Sequence, residues 1–190
     1  MNQLHLDILK EGLPGISKTV GAFLVEAAIV CLTAHGHTSG VVIHLGGDYE
    51  TAFKLFWKDE ISEQIRNTWK DKKEAAEYGA SAIAILVLLA LTKFVISERG
   101  IQMGVADYLL TTRENNANLS NLKSPTAHLE VSGIWEEHSK NSINMRLNAK
   151  EKQVKQAIKA GETVLIIVTE FGIPKAKIKW YNYEHHEDHA

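Results

Sequence analysis

The sequence predicts an α/β (α+β) domain, a central mixed sheet flanked by helices. Three observations carry this expectation. Apolar residues recur at helical spacing in separate stretches, period-two strand patterns lie between them, and Thr163 to Thr169 is a continuous apolar, β-branched run. Such a run reads as a central strand covered on both faces.

The elements follow in order. Ser17 caps a helix reaching about Ala34, with Val20, Phe23, Leu24, Ala27, Val30, Cys31 and Ala34 as its buried stripe and Glu26 beside it. His35 to Gly40 is a turn-rich stop. Val41 to Leu45 and Ala52 to Trp57 form a hairpin around Gly46-Gly47-Asp48. Glu60 to Trp69 is a polar helix. Asp71, three residues before Glu74, opens a long helix reaching about Ser97, apolar past its first turns. Ile101, Met103 and Val105 then alternate, and Ala106 to Thr111 continues as a strand. Beyond an Asn- and Ser-rich loop, Ala127 to Ile134 is a second strand. A helix over Leu147 to Lys159 ends at Gly161, a glycine suited to a helix C-cap. Ala176 to Tyr181 alternates Lys with Ile and Trp as an edge strand does.

The 190 residues suit one domain, 1–183, with 184–190 as a polar His-rich tail. With 45% hydrophobic and 23% charged residues, the chain is neither disordered nor fibrous. The single cysteine, Cys31, lies in an apolar run without an activating charge beside it and reads as a core residue. The N-terminal residues lack the pattern of a signal peptide. The apolar stretch Ala82–Leu91 falls short of the roughly 20 residues a membrane span needs, so a buried helix and a cytoplasmic location are expected. Lys140 to Trp180 holds nine Lys/Arg against three Glu, a balance of +6 inside a chain of net charge −2. That basic third suits phosphate contacts; a solvated helix face explains it equally simply. Glycine-rich phosphate loops, dinucleotide fingerprints and Gly-x-Ser-x-Gly are absent from the sequence. His35-Gly-His37 reads as a polar turn, and Trp135 as packing.

The informative stretch is Gly104-Val-Ala-Asp107-Tyr-Leu-Leu, then a loop, then His128-Leu-Glu130-Val-Ser132-Gly-Ile. Two acids stand on adjacent strands in apolar surroundings, where an unpaired carboxylate is costly. Asp107 and Glu130 aimed at one point make a donor set for a hard divalent cation.

These residues resemble the PD-(D/E)XK, or restriction-endonuclease-like, nuclease superfamily: a strand with Asp, a strand with Glu-x-Lys, then a helix and a hydrophobic strand. The resemblance covers Gly104 to Phe171 and implies a restriction-endonuclease-like core with a helical insertion. It further implies Mg²⁺ (or Mn²⁺) on Asp107 and Glu130, with Glu26 as an accessory acid from a preceding helix. Ser132 stands where the family has Lys, which puts cleavage in question. Some divergent members carry the basic group on the following helix. There Arg146, Lys150 and Gln153 share one face, so Lys150 is the expected replacement, with Arg146 and Gln153 as nucleic-acid contacts. The implied function is DNA hydrolysis, as in restriction or anti-phage defence. The alternatives are a nuclease-derived subunit that binds nucleic acid or a protein partner without cutting, and a structural protein in which these acids form buried ion pairs with Arg146 and Lys150.

Overall fold

The computed structural model describes residues 2–100, 106–112 and 126–183. Strand β1 (Asn2–His5) leads through a 3₁₀ turn (Leu6–Glu11) into α1 (Lys18–Ala34). The hairpin β2 (Val41–Gly47) and β3 (Thr51–Phe56) follows, then α2 (Glu63–Thr68) and α3 (Lys72–Leu91). Strands β4 (Phe94–Arg99), β5 (Tyr108–Thr112) and β6 (Ala127–Ile134) come next. Helices α4 (Ile143–Gln153) and α5 (Lys155–Lys159) cross over to β7 (Thr163–Glu170), and β8 (Lys175–Tyr181) ends the described chain. The helix starts are written in the sequence: Ser17, Ser62, Asp71 and Ser142 each accept a hydrogen bond from a backbone N–H of the first turn.

The eight strands form one mixed sheet in the order β1-β3-β2-β8-β7-β6-β5-β4. Strands β4, β5 and β6 are antiparallel neighbours, β7 lies parallel to β6, and β8 returns antiparallel to β7. Strand β7 shows the layering. Leu165 and Ile167 join the core beneath α1 and α3, while Val164, Ile166 and Val168 pack with Ile143, Leu147, Val154 and Ala157 of α4 and α5. The sheet is thus covered on both faces, as the β-branched run predicts. Helix α3 is apolar and long enough to cross a membrane by composition alone, but its residues from Gly79 to Leu88 are buried among α1 and the sheet.

Three expectations change. The long helix stops at Leu91, not near Ser97. Thr92 Oγ1 donates to the Leu88 carbonyl and accepts from the Phe94 amide, which turns the chain into β4 with Val95 and Ile96. Strand β8 is interior, between β2 and β7, not an edge. Its alternation arises because Ala176, Ile178 and Trp180 face the core, while Lys177 and Lys179 meet Asn144 and Glu151 of α4 on the wetter face. The helix after β6 begins at Ile143, ahead of Leu147, and is divided at Val154. Ile101, Met103, Val105, the loop around residues 114–125 and the His-rich tail lie outside the described residues.

Candidate active site

Strands β5 and β6 pair only over Ala127–Leu129, with Tyr108 opposite Leu129. In that register Asp107 comes opposite Glu130, and among the described residues no strand pairs with β6 on this side beyond Leu129. A backbone N–H left open on a sheet edge needs an acceptor. Two carboxylates serve: Asp107 Oδ2 accepts from the Val131 amide at 2.8 Å, and Glu77 Oε2 from the Gly133 amide at 3.4 Å. Two acids from different elements therefore hold backbone amides of β6 past the end of its described pairing with β5.

Glu130 is the third acid. It projects from the β6 face covered by α4 and is 1% exposed. Lys150 Nζ donates to its Oε1 at 2.5 Å and Gln153 Nε2 to the same oxygen at 2.8 Å. Its other oxygen, Oε2, is buried without a hydrogen-bond partner. Burial lifts the Glu130 carboxyl above its ordinary range, the neighbouring Asp107 charge adds to this, and Lys150 offsets part of it. Glu77 behaves alike: burial raises it, while Lys150, the Gly133 amide and Arg146 pull it down and Asp107 pushes it up. Glu77, Asp107, Glu130, Lys150 and Arg146 thus form one electrostatically coupled group.

The close approach of α3 to β6 makes this possible. A Cβ on Gly133 would lie 1.9 Å from the Ala76 carbonyl oxygen, inside any permitted contact. Glycine at 133 lets the first turns of α3 rest on the strand backbone and brings Glu77 within reach of it. Gly133 also lines a cleft of about 500 Å³, together with Lys72, Lys73, Trp135, His138 and Arg146, among others.

Of the residues singled out in the sequence, Asp107, Glu130, Lys150 and Gln153 are brought together, and Arg146 lies beside them with its Nε donating to Asn141 Oδ1 at 2.7 Å. Glu26 is a correction. Its Oε1 accepts from the Trp69 indole at 2.7 Å, and the helix acid facing the group is Glu77 of α3. Glu77, three residues beyond Glu74, is carried by the helix that immediately precedes the β4-β5-β6 meander. Ser132 is fully buried, and its hydroxyl has no hydrogen-bond partner. His37 Nε2 lies within hydrogen-bonding distance of the carbonyls of Phe171 and Gly172, which accounts for it as a structural residue. Cys31 is buried, and its thiol is pushed far above its ordinary range by that burial.

The oxygen donors of Asp107 and Glu130 are of the kind Mg²⁺ or Mn²⁺ prefers, and the unpartnered Glu130 Oε2 leaves a lone-pair donor without a proton to accept. Among the described residues, however, no three His, Cys, Asp or Glu side chains stand at metal-ligand spacing. Set against protein-family models, curated proteins and solved structures, the chain matches none of them.

Proposed function

We propose that this chain is a metal-dependent nuclease-like domain acting on DNA, of the PD-(D/E)XK kind that its Asp107 and Glu130 strands resemble. One observation carries the reading: Lys150 donates to the buried Glu130, while Asp107 and Glu77 accept from the Val131 and Gly133 amides of the same strand. The order of elements supports it too. A helix bearing Glu77 precedes the meander, and α4 with Lys150 leads to the hydrophobic strand β7. On this reading Asp107 and Glu130 would hold Mg²⁺ or Mn²⁺, which supplies a water of lowered pKa and neutralises charge on the phosphate. Lys150, a compact charge on a flexible stem, orients the attacking water and steadies the scissile phosphate in place of the family lysine at 132. Glu77 holds the Gly133 edge and adds negative charge beside the ion. Arg146 and Gln153 contact the nucleic acid. A cytoplasmic restriction or anti-phage role belongs to the same proposal.

The test incubates the protein with plasmid and single-stranded DNA in Mg²⁺ or Mn²⁺. Cleavage is expected, lost in Asp107→Asn, Glu130→Ala and Lys150→Ala. Activity surviving Glu130→Ala refutes the assignment.

A second reading is favoured by the occupancy of Glu130. Its Oε1 is held by both Lys150 and Gln153, and among the described residues no three His, Cys, Asp or Glu side chains stand at metal-ligand spacing. On that reading the chain is a nuclease-derived subunit that binds nucleic acid or a protein partner without cutting, and Ser132 records the lost lysine. Wild-type protein that binds DNA yet never cuts it selects this alternative.

A further inference from the structure

The cleft beyond Gly133 carries chemistry that the acid group does not need. One wall is Trp135, half-buried, with the Lys72 ammonium 5.2 Å from its ring centroid. The His35 ring lies 5.1 Å from Trp135, tilted by 54°, and fixes the indole from its own side. Lys73 and Arg146 complete a cationic lining. Of the two acids in the same cleft, Glu137 is already neutralised by Lys175 and by the Ile143 amide, leaving Glu136 as the opposing charge. The volume, about 500 Å³, suits one nucleotide and not a duplex.

We propose that this cleft receives one unpaired nucleotide, its base stacked on Trp135 and its phosphate on Lys73 and Arg146. The protein then prefers single-stranded DNA or frayed ends to the interior of a duplex. A base within a helix has both faces covered by its neighbours, so an aromatic wall can take only a base already out of the stack or drawn from it. Lys72 is exposed on a four-carbon stem. It yields the indole to the base and moves its charge to the phosphate, exchanging a cation–π contact for an ionic one. The cleft adjoins Glu77 at Gly133, whose amide Glu77 holds and whose residue lines the cleft. The nucleotide would sit next to the phosphate that Asp107 and Glu130 address. Only that last placement rests on the nuclease-like reading; the base and phosphate contacts do not.

Binding in EDTA separates the two. The probe is a short fluorescent single-stranded oligonucleotide, compared with a hairpin duplex of the same length. The single strand should bind at least about tenfold more tightly. Trp135→Ala should weaken it by about 10- to 100-fold, the loss of one base–aromatic stack, with little change for the duplex. Trp135→Phe should restore most of the affinity while Trp135→Leu, which keeps apolar bulk without a ring face, should not, a split that a merely structural role for the indole would not predict, and Lys73→Glu, an exposed change, should weaken binding to the single strand. Equal affinity for both probes, or a folded Trp135→Ala protein that binds like wild type, overturns the cleft proposal even if cleavage is found. Trp135-dependent binding without cleavage in Mg²⁺ upholds it while the nuclease reading fails.

Discussion

Replacing Lys150 by Met removes a charge and keeps much of the stem. The carboxylate it leaves is 1% exposed, while the lysine itself is 20% exposed. Breaking a buried pair by deleting one partner costs about 3–5 kcal/mol, because the other charge stays buried. Gln153 still donates to Glu130 Oε1 at 2.8 Å, so the lower end, about 3 kcal/mol, is expected at pH 8. That is a large part of a typical stability of about 5–15 kcal/mol. The pH dependence has a definite sign. The Glu130 carboxyl is raised in the folded chain by burial and by Asp107, and loss of Lys150 raises it further. A raised acid binds its proton more tightly folded than unfolded, so its contribution is full below the unfolded value of about 4.5 and disappears as pH climbs through the folded value. Lys150→Met should therefore lose only about 1 kcal/mol near pH 4, below the unfolded value, where one neutral hydrogen bond is at stake, and about 3 kcal/mol at pH 8. Urea unfolding at both pH values measures this, with Glu130→Gln in the same background expected to erase most of the pH dependence. An equal loss at pH 4 and pH 8 would refute the buried ion pair.

Three further outcomes follow from the packing. Gly133→Ala must push α3 off β6, since its Cβ would meet the Ala76 carbonyl at 1.9 Å; a melting temperature within a degree or so of wild type would contradict that contact. Leu86→Asp places an unpaired charge where Leu86 is 3% exposed, and should leave little soluble folded protein, as gel filtration and circular dichroism will show. Cys31, with burial holding its thiol protonated, should resist thiol reagents at pH 8 in the native protein and react at once in urea; rapid native labelling would mean that α1 opens readily.

Much of the fold is legible in the residues, because caps and periodicity are local. Ser17, Asp71 and the run Val164–Val168 declare their elements without reference to anything distant. β1 is illegible for the same reason: in Asn-Gln-Leu-His only Leu4 is buried, and the strand exists because β3 offers it a parallel partner. β4 was hidden because its apolar residues continue the composition of α3, and only the Thr92 hydrogen bonds break the helix. In the candidate site, Asp107 and Glu130 are legible as acids on apolar strands, while Lys150 and Gln153 enter through the family resemblance, with helix spacing placing them on one face. In the sequence Glu26 and Glu77 look alike, each an acid on a helix ahead of the Asp107 strand. What separates them is the contact at Gly133, which depends on tertiary approach and leaves no periodic trace.

Helix α3 behaves as a lever. Glu77 sits within its first two turns, and nine residues on, Leu86 is locked in the interior, about 13 Å along the axis at 1.5 Å per residue. A tilt of about 5° pivoting on Leu86 swings the Glu77 end by about 1 Å, enough to break a 3.4 Å contact. Side-chain volume at Ile83, Leu86 or Val87, far from any solvent, therefore sets the aim of a carboxylate at the sheet edge. Substitutions there that leave the protein folded are the ones to expect among variants with altered chemistry and unaltered surfaces.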